Sequence, residues 1–283
     1  KGAEYYWDVN KQSAGVLKEI RQAFLDEDKE KAAQLTRNNF NGLAAYEEKD
    51  ETPFRFGSFT TMGELYVETG LNELRMSNYR RILSLDSAMV VVQFDKDGVQ
   101  YQRKYFISYP DSVMVMKFTA NQSGKQNLIL SYCPNSEAKS NLRADGKDGL
   151  VYTGVLDNNG MKFAFRIKAI HKGGTLEAEN DRLIVKGADE VVFLLTADTD
   201  YKMNFNPDFK DPKTYVGNDP EQTTRIMMDQ AVQKGYDELY RNHEADYTAL
   251  FNRVRLQLNP DISTPNLPTY QRLANYKKGT QIG

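Results

Sequence analysis

The stretch Met161-Lys-Phe-Ala-Phe-Arg-Ile-Lys168 decides the fold class of this chain. Its odd-numbered positions are all apolar, whereas three of its four even-numbered positions are basic. A period of two predicts a β-strand whose apolar side chains all point to one face. Asn158-Asn159-Gly160 stands directly before it and is a hairpin turn signal, so this strand is predicted to pair with residues 150–156.

Ten further segments have the same short length and are rich in Val, Ile, Tyr and Phe. Asp97-Gly98 joins two of them as a second hairpin turn. The connections are too short for the crossover helices that a parallel sheet needs. The sequence therefore predicts a mainly β protein built as a large antiparallel β-sandwich, a supersandwich. Its predicted strands are residues 63–67, 79–85, 89–94, 99–107, 113–119, 128–132, 150–156, 161–168, 175–178, 182–185 and 191–197.

Helices are predicted on both sides of the β-region. Residues 10–49 contain no proline and carry apolar residues at helical spacing, with Asp28 as the N-cap of a second helix. On the other side, Asp219 fits the N-cap of a long helix that Gly235 interrupts, and a further helix starts near Thr269. The predicted organisation has three parts: an N-terminal helical segment packed on the sandwich (1–53), the sandwich (54–218) and a C-terminal helical linker (219–283).

Composition and motifs argue against several classes of function. The 283 residues carry 37 basic and 39 acidic side chains, so charge gives no reason to expect nucleic-acid binding. No stretch approaches the ~20 apolar residues of a membrane span. The sequence has neither a phosphate-binding glycine loop nor the Gly-x-Ser-x-Gly, His-Glu-x-x-His and Cys-x-x-Cys motifs. One cysteine and two histidines leave little room for a metal centre, so we expect no metal and no cofactor.

The residues capable of catalysis each have a structural interpretation as well. His243 and Asp246 are three positions apart on the predicted long helix, so they could form a dyad; a histidine at the helix surface or at a domain interface is the favoured interpretation. Glycoside hydrolysis typically needs two carboxylates at a defined separation. Four aspartates lie at predicted strand ends, where aspartate is also an ordinary turn former: Asp86, Asp111, Asp198 and Asp200. These residues assign no catalytic group.

Three other residues draw weaker expectations. Cys133 follows a predicted strand and is expected to be a buried small apolar residue. His171 precedes two glycines and is expected to be an exposed turn residue. Trp7 stands alone in a polar segment, which makes it the candidate for a ligand or interface contact and the one candidate substrate-binding residue.

Six motifs in register resemble the amino-terminal domain of glycoside hydrolase family 95, the α-L-fucosidase family. The resemblance covers nearly the whole chain, in the same order and with fitting gaps. The motifs are Leu17-Lys-Glu-Ile-Arg-Gln with Ala32-Ala33-Gln-Leu, Gly63-Glu-Leu-Tyr, Tyr79-Arg-Arg-Ile-Leu-Ser-Leu-Asp-Ser-Ala, Tyr101-Gln-Arg-Lys-Tyr-Phe-Ile-Ser-Tyr-Pro-Asp, His243-Glu-Ala-Asp-Tyr-Thr-Ala-Leu-Phe-Asn-Arg-Val, and Leu267-Pro-Thr with Arg272-Leu.

The resemblance implies a β-sandwich followed by a helical linker and then, in the family, a catalytic (α/α)6 barrel. The family's catalytic residues lie in that barrel, so no position here carries them over. The implied function is the non-catalytic N-terminal domain of an inverting α-L-fucosidase-like glycosidase, with a glycan substrate, the barrel as intramolecular partner, and a periplasmic or extracellular location. The family includes α-L-galactosidases. Three alternatives remain: a stand-alone carbohydrate-binding module, a self-contained enzyme that uses the strand-end carboxylates, and a structural or assembly role without any ligand.

Overall fold

The computed structural model describes residues 11–40, 61–72, 74–134, 138–156, 160–179, 181–208, 211, 213–256 and 267–278. Within these ranges it has a 3-10 helix at Lys11–Val16 and the α-helices α1 Leu17–Leu25, α2 Lys29–Phe40, α3 Pro220–Phe251 and α4 Thr269–Lys277. The β-strands are β1 Gly63–Glu68, β2 Ser77–Ser84, β3 Met89–Lys96, β4 Val99–Ser108, β5 Val113–Ala120, β6 Gln126–Pro134, β7 Ala138–Ala144, β8 Gly149–Leu156, β9 Lys162–Lys172, β10 Thr175–Glu179, β11 Arg182–Ala188 and β12 Glu190–Thr199.

The strands form two antiparallel sheets, which confirms the predicted fold class. The large sheet has the order β2-β3-β4-β5-β12-β9-β8-β7, and the small sheet has the order β1-β6-β11-β10. Asp97 and Gly98 join β3 to β4 with φ angles of 50° and 76°, as a tight two-residue hairpin turn requires. β8 and β9 pair as predicted. Asn158 and Asn159 of the predicted turn lie outside the described residues.

Strand β7 was not predicted from the sequence. Its seven residues, Ala-Lys-Ser-Asn-Leu-Arg-Ala, include a single large apolar side chain, Leu142, and show no apolar alternation. It forms one edge of the large sheet and pairs with β8 through backbone hydrogen bonds. Because an edge strand is often polar and short, hydrophobic pattern is a poor guide to it.

The main core lies between the two sheets. The apolar face of β9 supplies Phe163, Phe165 and Ile167, which are at most 5% exposed. Phe165 packs edge-on against Tyr132 of β6, with ring centroids 4.4 Å apart, and lies 5.3 Å from the ring of Tyr152 on β8. Such aromatic contacts stabilise a core beyond the area that they bury. The alternation in the sequence thus identified the face of β9 that meets the main core.

The opposite face of the large sheet is covered by α3. Asp219 caps this helix by accepting a 3.0 Å hydrogen bond from the amide of Glu221, and Pro220 takes the first helical position. Gly235, with φ 72° and ψ 172°, divides α3 into two segments, as the sequence predicted. A second apolar core lies between helix and sheet. Its buried members are Met89, Phe106, Val113, Val115, Val192, Leu194, Met228, Ala231 and Leu239.

The helix also explains why a basic residue of β9 is buried. Arg166 points away from the main core, yet its side chain is only 3% exposed, because α3 lies across this part of β9 and β12. The guanidinium forms an ion pair with Asp145. A buried charge needs such a partner, since leaving water is costly for an ion.

The remaining helices begin where the sequence predicted. Asp28 caps α2 by accepting a 3.0 Å hydrogen bond from the amide of Lys31, and α4 starts at Thr269. Helices α1 and α2 contact each other. None of the helices in the described ranges is long and apolar enough to cross a membrane. The division of the chain at residues 53 and 218 stays a prediction.

Candidate functional site

The turn between β4 and β5 forms hydrogen bonds with α3 on both sides of its kink at Gly235. The carboxylate of Asp111 in this turn is 2% exposed. Its Oδ1 accepts hydrogen bonds from Lys234 Nζ at 2.7 Å and from Asn242 Nδ2 at 3.1 Å, while Oδ2 accepts one from Ser108 Oγ at 2.6 Å. Lys234 precedes Gly235 and Asn242 follows it, so a single carboxylate ties both segments of the helix to the sheet.

The electrostatics of Asp111 suit a structural role. Burial disfavours the charged carboxylate, but the hydrogen bonds from Lys234, Ser108 and Asn242 outweigh burial and lower the pKa of Asp111 from its ordinary 3.8. The hydrogen bond to Asp111 raises the pKa of Lys234. Both groups therefore stay charged at neutral pH. A general acid must carry a proton at working pH, which this carboxyl does not.

His243 lies on the sheet-facing side of the second helical segment. It is 5% exposed, and its Nε2 lies 3.1 Å from the carbonyl oxygen of Ser87 and 3.2 Å from that of Ala88. Because both partners can only accept, Nε2 carries the proton and donates to the β2–β3 turn. In the described part of the chain no hydrogen bond joins His243 to Asp246. The histidine thus occupies the helix–sheet interface, which is the favoured interpretation of the sequence.

An aromatic cluster fills the space between these two turns. The Phe106 ring stacks on His243 with centroids 4.9 Å apart and meets Tyr236 and Tyr240 edge-on at 5.9 and 5.8 Å. Burial, aided by nearby negative charge, raises the pKa of Tyr236 to about 12. Further along α3, the hydroxyl of Tyr247 donates to the carbonyl oxygen of Leu85 at 2.5 Å.

An ion-pair group borders the cluster. Glu190 Oε2 lies 2.8 Å from Lys117 Nζ, and Oε1 lies 3.1 Å from Lys172 Nζ. Burial works against the charge of Glu190, but the two lysines outweigh it and lower its pKa. The Lys117 ammonium also sits 4.2 Å from the ring centre of Tyr236, a cation–π contact with the helix.

The other strand-end aspartates serve local backbone contacts. Asp200 is 6% exposed and accepts a 3.0 Å hydrogen bond from the amide of Lys162. Asp198 accepts one at 2.8 Å from the amide of Thr199, its neighbour. Asp86 is exposed in the β2–β3 turn. Each of these positions fits the interpretation of aspartate as a turn or strand-end residue.

Two weaker expectations were wrong, and a third falls outside the described residues. Cys133 is exposed, because it alternates with the inward-pointing Tyr132 on the outer face of the small sheet. His171 is half-buried within β9, and its Nδ1 lies 2.7 Å from the carbonyl oxygen of Gly173. Trp7 lies outside the described residues. Across the described residues, no three His, Cys, Asp or Glu side chains are grouped so that they could hold a metal ion.

A largely apolar cleft opens beside the second segment of α3. It has a volume of about 490 Å³ and is lined by residues of β3, β4, β5 and α3, including His243, Tyr247 and Leu250. At its rim Ile107 and Tyr109 are 66% and 84% exposed. The cleft offers an apolar surface next to α3. Among the described residues that line it, Asp246 is the one carboxylate, and Ser, Thr, Cys and Lys are absent.

Two protein-family models match different parts of the chain, and the second match begins within α3. Residues 2–204 match the model of the glycosyl hydrolase family 65 N-terminal domain, and this match spans the whole sandwich. The chain belongs to the glycosyl hydrolase family 65 N-terminal domain family. Residues 235–282 of this glycosyl hydrolase N-terminal domain protein match a second model, the glycosyl hydrolase family 95 catalytic domain. That second match begins at Gly235, the residue that breaks α3.

Relatives of this glycosyl hydrolase domain protein are fucosidases. It is 27% identical over 239 residues to a probable α-fucosidase A of Aspergillus niger, covering 81% of this chain and 29% of the fungal protein. It is 27% identical over 227 residues to α-L-fucosidase 2 of Arabidopsis thaliana, covering 71% of this chain and 26% of the plant protein. The chain thus spans less than a third of the length of either relative. The resemblance to the N-terminal domain of a family 95 protein is confirmed.

One solved structure shares a weaker likeness. A putative kojibiose phosphorylase from the human microbiome aligns with a TM-score of 0.45 and 9% identity, covering 65% of this chain and 27% of that chain. A TM-score this low does not establish a common fold.

Proposed function

We propose that this chain is the non-catalytic N-terminal part of an inverting α-L-fucosidase-like glycosidase and that it holds the catalytic barrel in place. The parent enzyme would release terminal α-linked L-fucose from glycans. Its relatives by sequence carry fucosidase names, and the sandwich matches an N-terminal domain of glycosyl hydrolases. In this proposal the three parts are residues 1–53, 54–218 and 219–283, and the location is periplasmic or extracellular.

The packing of α3 is the observation that carries the proposal. The helical segment 236–251 lies within the region that matches a catalytic domain, yet it is fastened to the sandwich. Three contacts fasten it: Asp111 at the kink, the Phe106 cluster along the helix, and the β2–β3 turn that binds His243 and Tyr247. A largely buried contact of this kind suits a scaffold, because it positions the start of the following helices.

The exposed apolar surface around the cleft supports the same proposal. Ile107, Tyr109 and Leu250 are each more than 60% exposed, and they lie next to one another around the second segment of α3. Clustered exposed apolar side chains usually mark a contact with another protein surface. The remainder of a catalytic domain that continues from α4 would cover them.

Fucose release by two lengths of the protein tests the proposal. The purified 283-residue chain and a version extended through the following domain are each incubated with 2′-fucosyllactose, and free fucose is measured. We expect release by the extended protein alone. Release by the short chain would mean that strand-end carboxylates are catalytic and would overturn the proposal. If the extended protein hydrolyses α-L-galactosides instead, the scaffold role stands and the fucose specificity is wrong. The stand-alone binding module predicts activity in neither protein.

A further inference from the structure

A polar groove lies on the large sheet, on the same face as α3. It has a volume of about 490 Å³ and is lined by residues of β2, β3, β4 and β5. This volume is within the range of roughly 300–1,000 Å³ that small-molecule sites occupy. Residues from both faces of β3, β4 and β5 line it, so the strands themselves form its floor. The groove is separate from the apolar cleft at α3, with which it shares no lining residue.

A row of polar side chains crosses the groove. Arg80, Gln93, Gln102 and Thr119 are cross-strand neighbours on four adjacent strands, and all four point away from the main core. Directly opposed residues in antiparallel strands are about 5 Å apart, so the row presents evenly spaced hydrogen-bonding groups. Arg80 is exposed, whereas Gln93, Gln102 and Thr119 are half-buried. The row thus presents a guanidinium, two amides and a hydroxyl, where an ordinary solvated surface carries Lys and Glu.

Some polar groups that line the groove are already hydrogen-bonded within the protein, and others are available to a ligand. Asp95 accepts a 2.5 Å hydrogen bond from Asn78 Nδ2, and Asn121 Oδ1 accepts one at 2.9 Å from the amide of Gln100. In the described part of the chain the side chains of Arg80, Gln93 and Gln102 have no hydrogen-bond partner. An amide offers a donor and an acceptor side by side, and a guanidinium offers paired donors. Adjacent hydroxyls of a sugar present the matching acceptors and donors.

The charges of the lining favour a neutral ligand. Arg80 is its one cation and Asp95 its one anion, so the lining carries no net charge. An anionic ligand would meet Asp95 and a cationic one Arg80. A polar surface of this kind is also poorly suited to the centre of a protein interface, which is usually apolar and aromatic. A polyhydroxylated, uncharged molecule satisfies the whole row.

We infer that this groove is a binding site for neutral oligosaccharides, formed by Gln93, Gln102 and Arg80 and separate from any catalytic centre. The inference goes beyond the proposed scaffold role and does not depend on hydrolysis. In the parent glycosidase such a site would hold the glycan near the enzyme while the catalytic domain acts on its end.

Titration of the isotope-labelled 283-residue chain with 2′-fucosyllactose tests this inference. Backbone amide signals are followed by NMR, because a few hydrogen bonds to a sugar correspond to a Kd on the order of 1 mM. The double variant Gln93→Ala/Gln102→Ala is compared with Gln230→Ala/Gln233→Ala, whose side chains are exposed on α3. We expect saturable shifts confined to β2–β5, a loss of affinity of about tenfold in the first variant, and wild-type binding in the second.

Several outcomes would overturn the inference. These are no shift at sugar concentrations of about 20 mM, shifts centred outside the groove, or unchanged binding by a Gln93→Ala/Gln102→Ala variant whose spectrum shows it folded. Tighter binding of a sulfated disaccharide would show that the ligand class is anionic and not neutral. Absence of sugar binding by the 283-residue chain would contradict this inference and leave the proposed function standing. Absence of fucose release by the extended protein would contradict the proposed function and leave this inference standing.

Discussion

At the scale of single residues, Asp111 and His243 look like catalytic candidates in the sequence, but in the structure they join α3 to the large sheet. Asp111 reaches Lys234 and Asn242, which are 123 and 131 positions away in the chain. His243 reaches a turn more than 150 positions earlier. A single sequence contains no signal for such pairs, because the residues themselves are ordinary polar types. Only the packing of α3 on the sheet brings them together.

The charge of Asp111 is expected to stabilise the fold. Replacing Asp111 with Asn keeps the shape but removes the charge that Lys234 faces, so we expect a loss of about 1–2 kcal/mol in the free energy of unfolding at neutral pH. Urea unfolding measures it. Asp86→Asn is the matched control, since Asp86 is exposed, and should leave the stability unchanged.

The difference in unfolding free energy between wild type and Asp111→Asn should depend on pH, because the pKa of Asp111 is lowered. Because this pKa is lower in the folded state than its ordinary 3.8, the unfolded state takes up the proton first as the pH falls. The stabilisation is complete above the ordinary value and is lost as the pH drops through the folded value. The difference between wild type and Asp111→Asn should therefore shrink as the pH falls below the ordinary value of 3.8. A difference that stays the same from neutral pH down to acid unfolding would contradict the assignment.

Substitutions of His243 distinguish a structural role of this side chain from a catalytic one. His243→Ala leaves a cavity beside Phe106 and two carbonyl groups without a donor, so we expect a loss of about 2–3 kcal/mol in unfolding free energy. His243→Phe keeps the ring stack and should lose about 1 kcal/mol. In the extended protein, His243→Phe should retain fucose release below its melting temperature. A stable but inactive His243→Phe variant would instead support the dyad with Asp246.

At the scale of elements, the local sequence pattern was sufficient for β9 and for the β3–β4 hairpin. The alternation in β9 identified the strand and the face that meets the main core, and Asp97-Gly98 identified the hairpin, because these depend on neighbouring residues only. The polar edge strand β7 and the burial of Arg166 were not predictable in this way. Both depend on what lies beside or above the strand, and that is decided by distant parts of the chain.

The kink in α3 gives a prediction at this scale. Gly235 has φ 72° and ψ 172°, a region that only glycine occupies readily. A Cβ atom at Gly235 would meet nothing within 4 Å, so the cost of Gly235→Ala is conformational and not steric. We expect a loss of about 2 kcal/mol in unfolding free energy. Gly15→Ala, also with open space and without a positive φ, is the control and should be neutral or slightly stabilising. A Gly235→Ala protein as stable as wild type would mean that α3 tolerates a straight path.

At the scale of the whole molecule, the large sheet carries different surfaces on its two faces. One face packs on the small sheet to form the main core. The other binds α3 over part of its width and presents the polar groove elsewhere. The sequence predicted the sandwich, the helix and its break. It did not predict which face the helix covers or the polar groove, because both require knowing the order of strands in the sheet.

The sandwich packs against α3, the helix within which the catalytic-domain match begins. Hydrogen–deuterium exchange of amides 236–251 tests it most directly, in the wild-type chain, in Phe106→Ala and in Phe205→Ala, whose ring is 93% exposed. Loss of the Phe106 ring removes contacts with Tyr236, Tyr240 and His243. We expect these amides to be protected in wild type and in Phe205→Ala and to exchange at least about tenfold faster in Phe106→Ala. The strands of the small sheet should keep their protection. Rapid exchange of 236–251 in the wild-type chain, or equal protection in all three proteins, would show that the sandwich does not hold this helix.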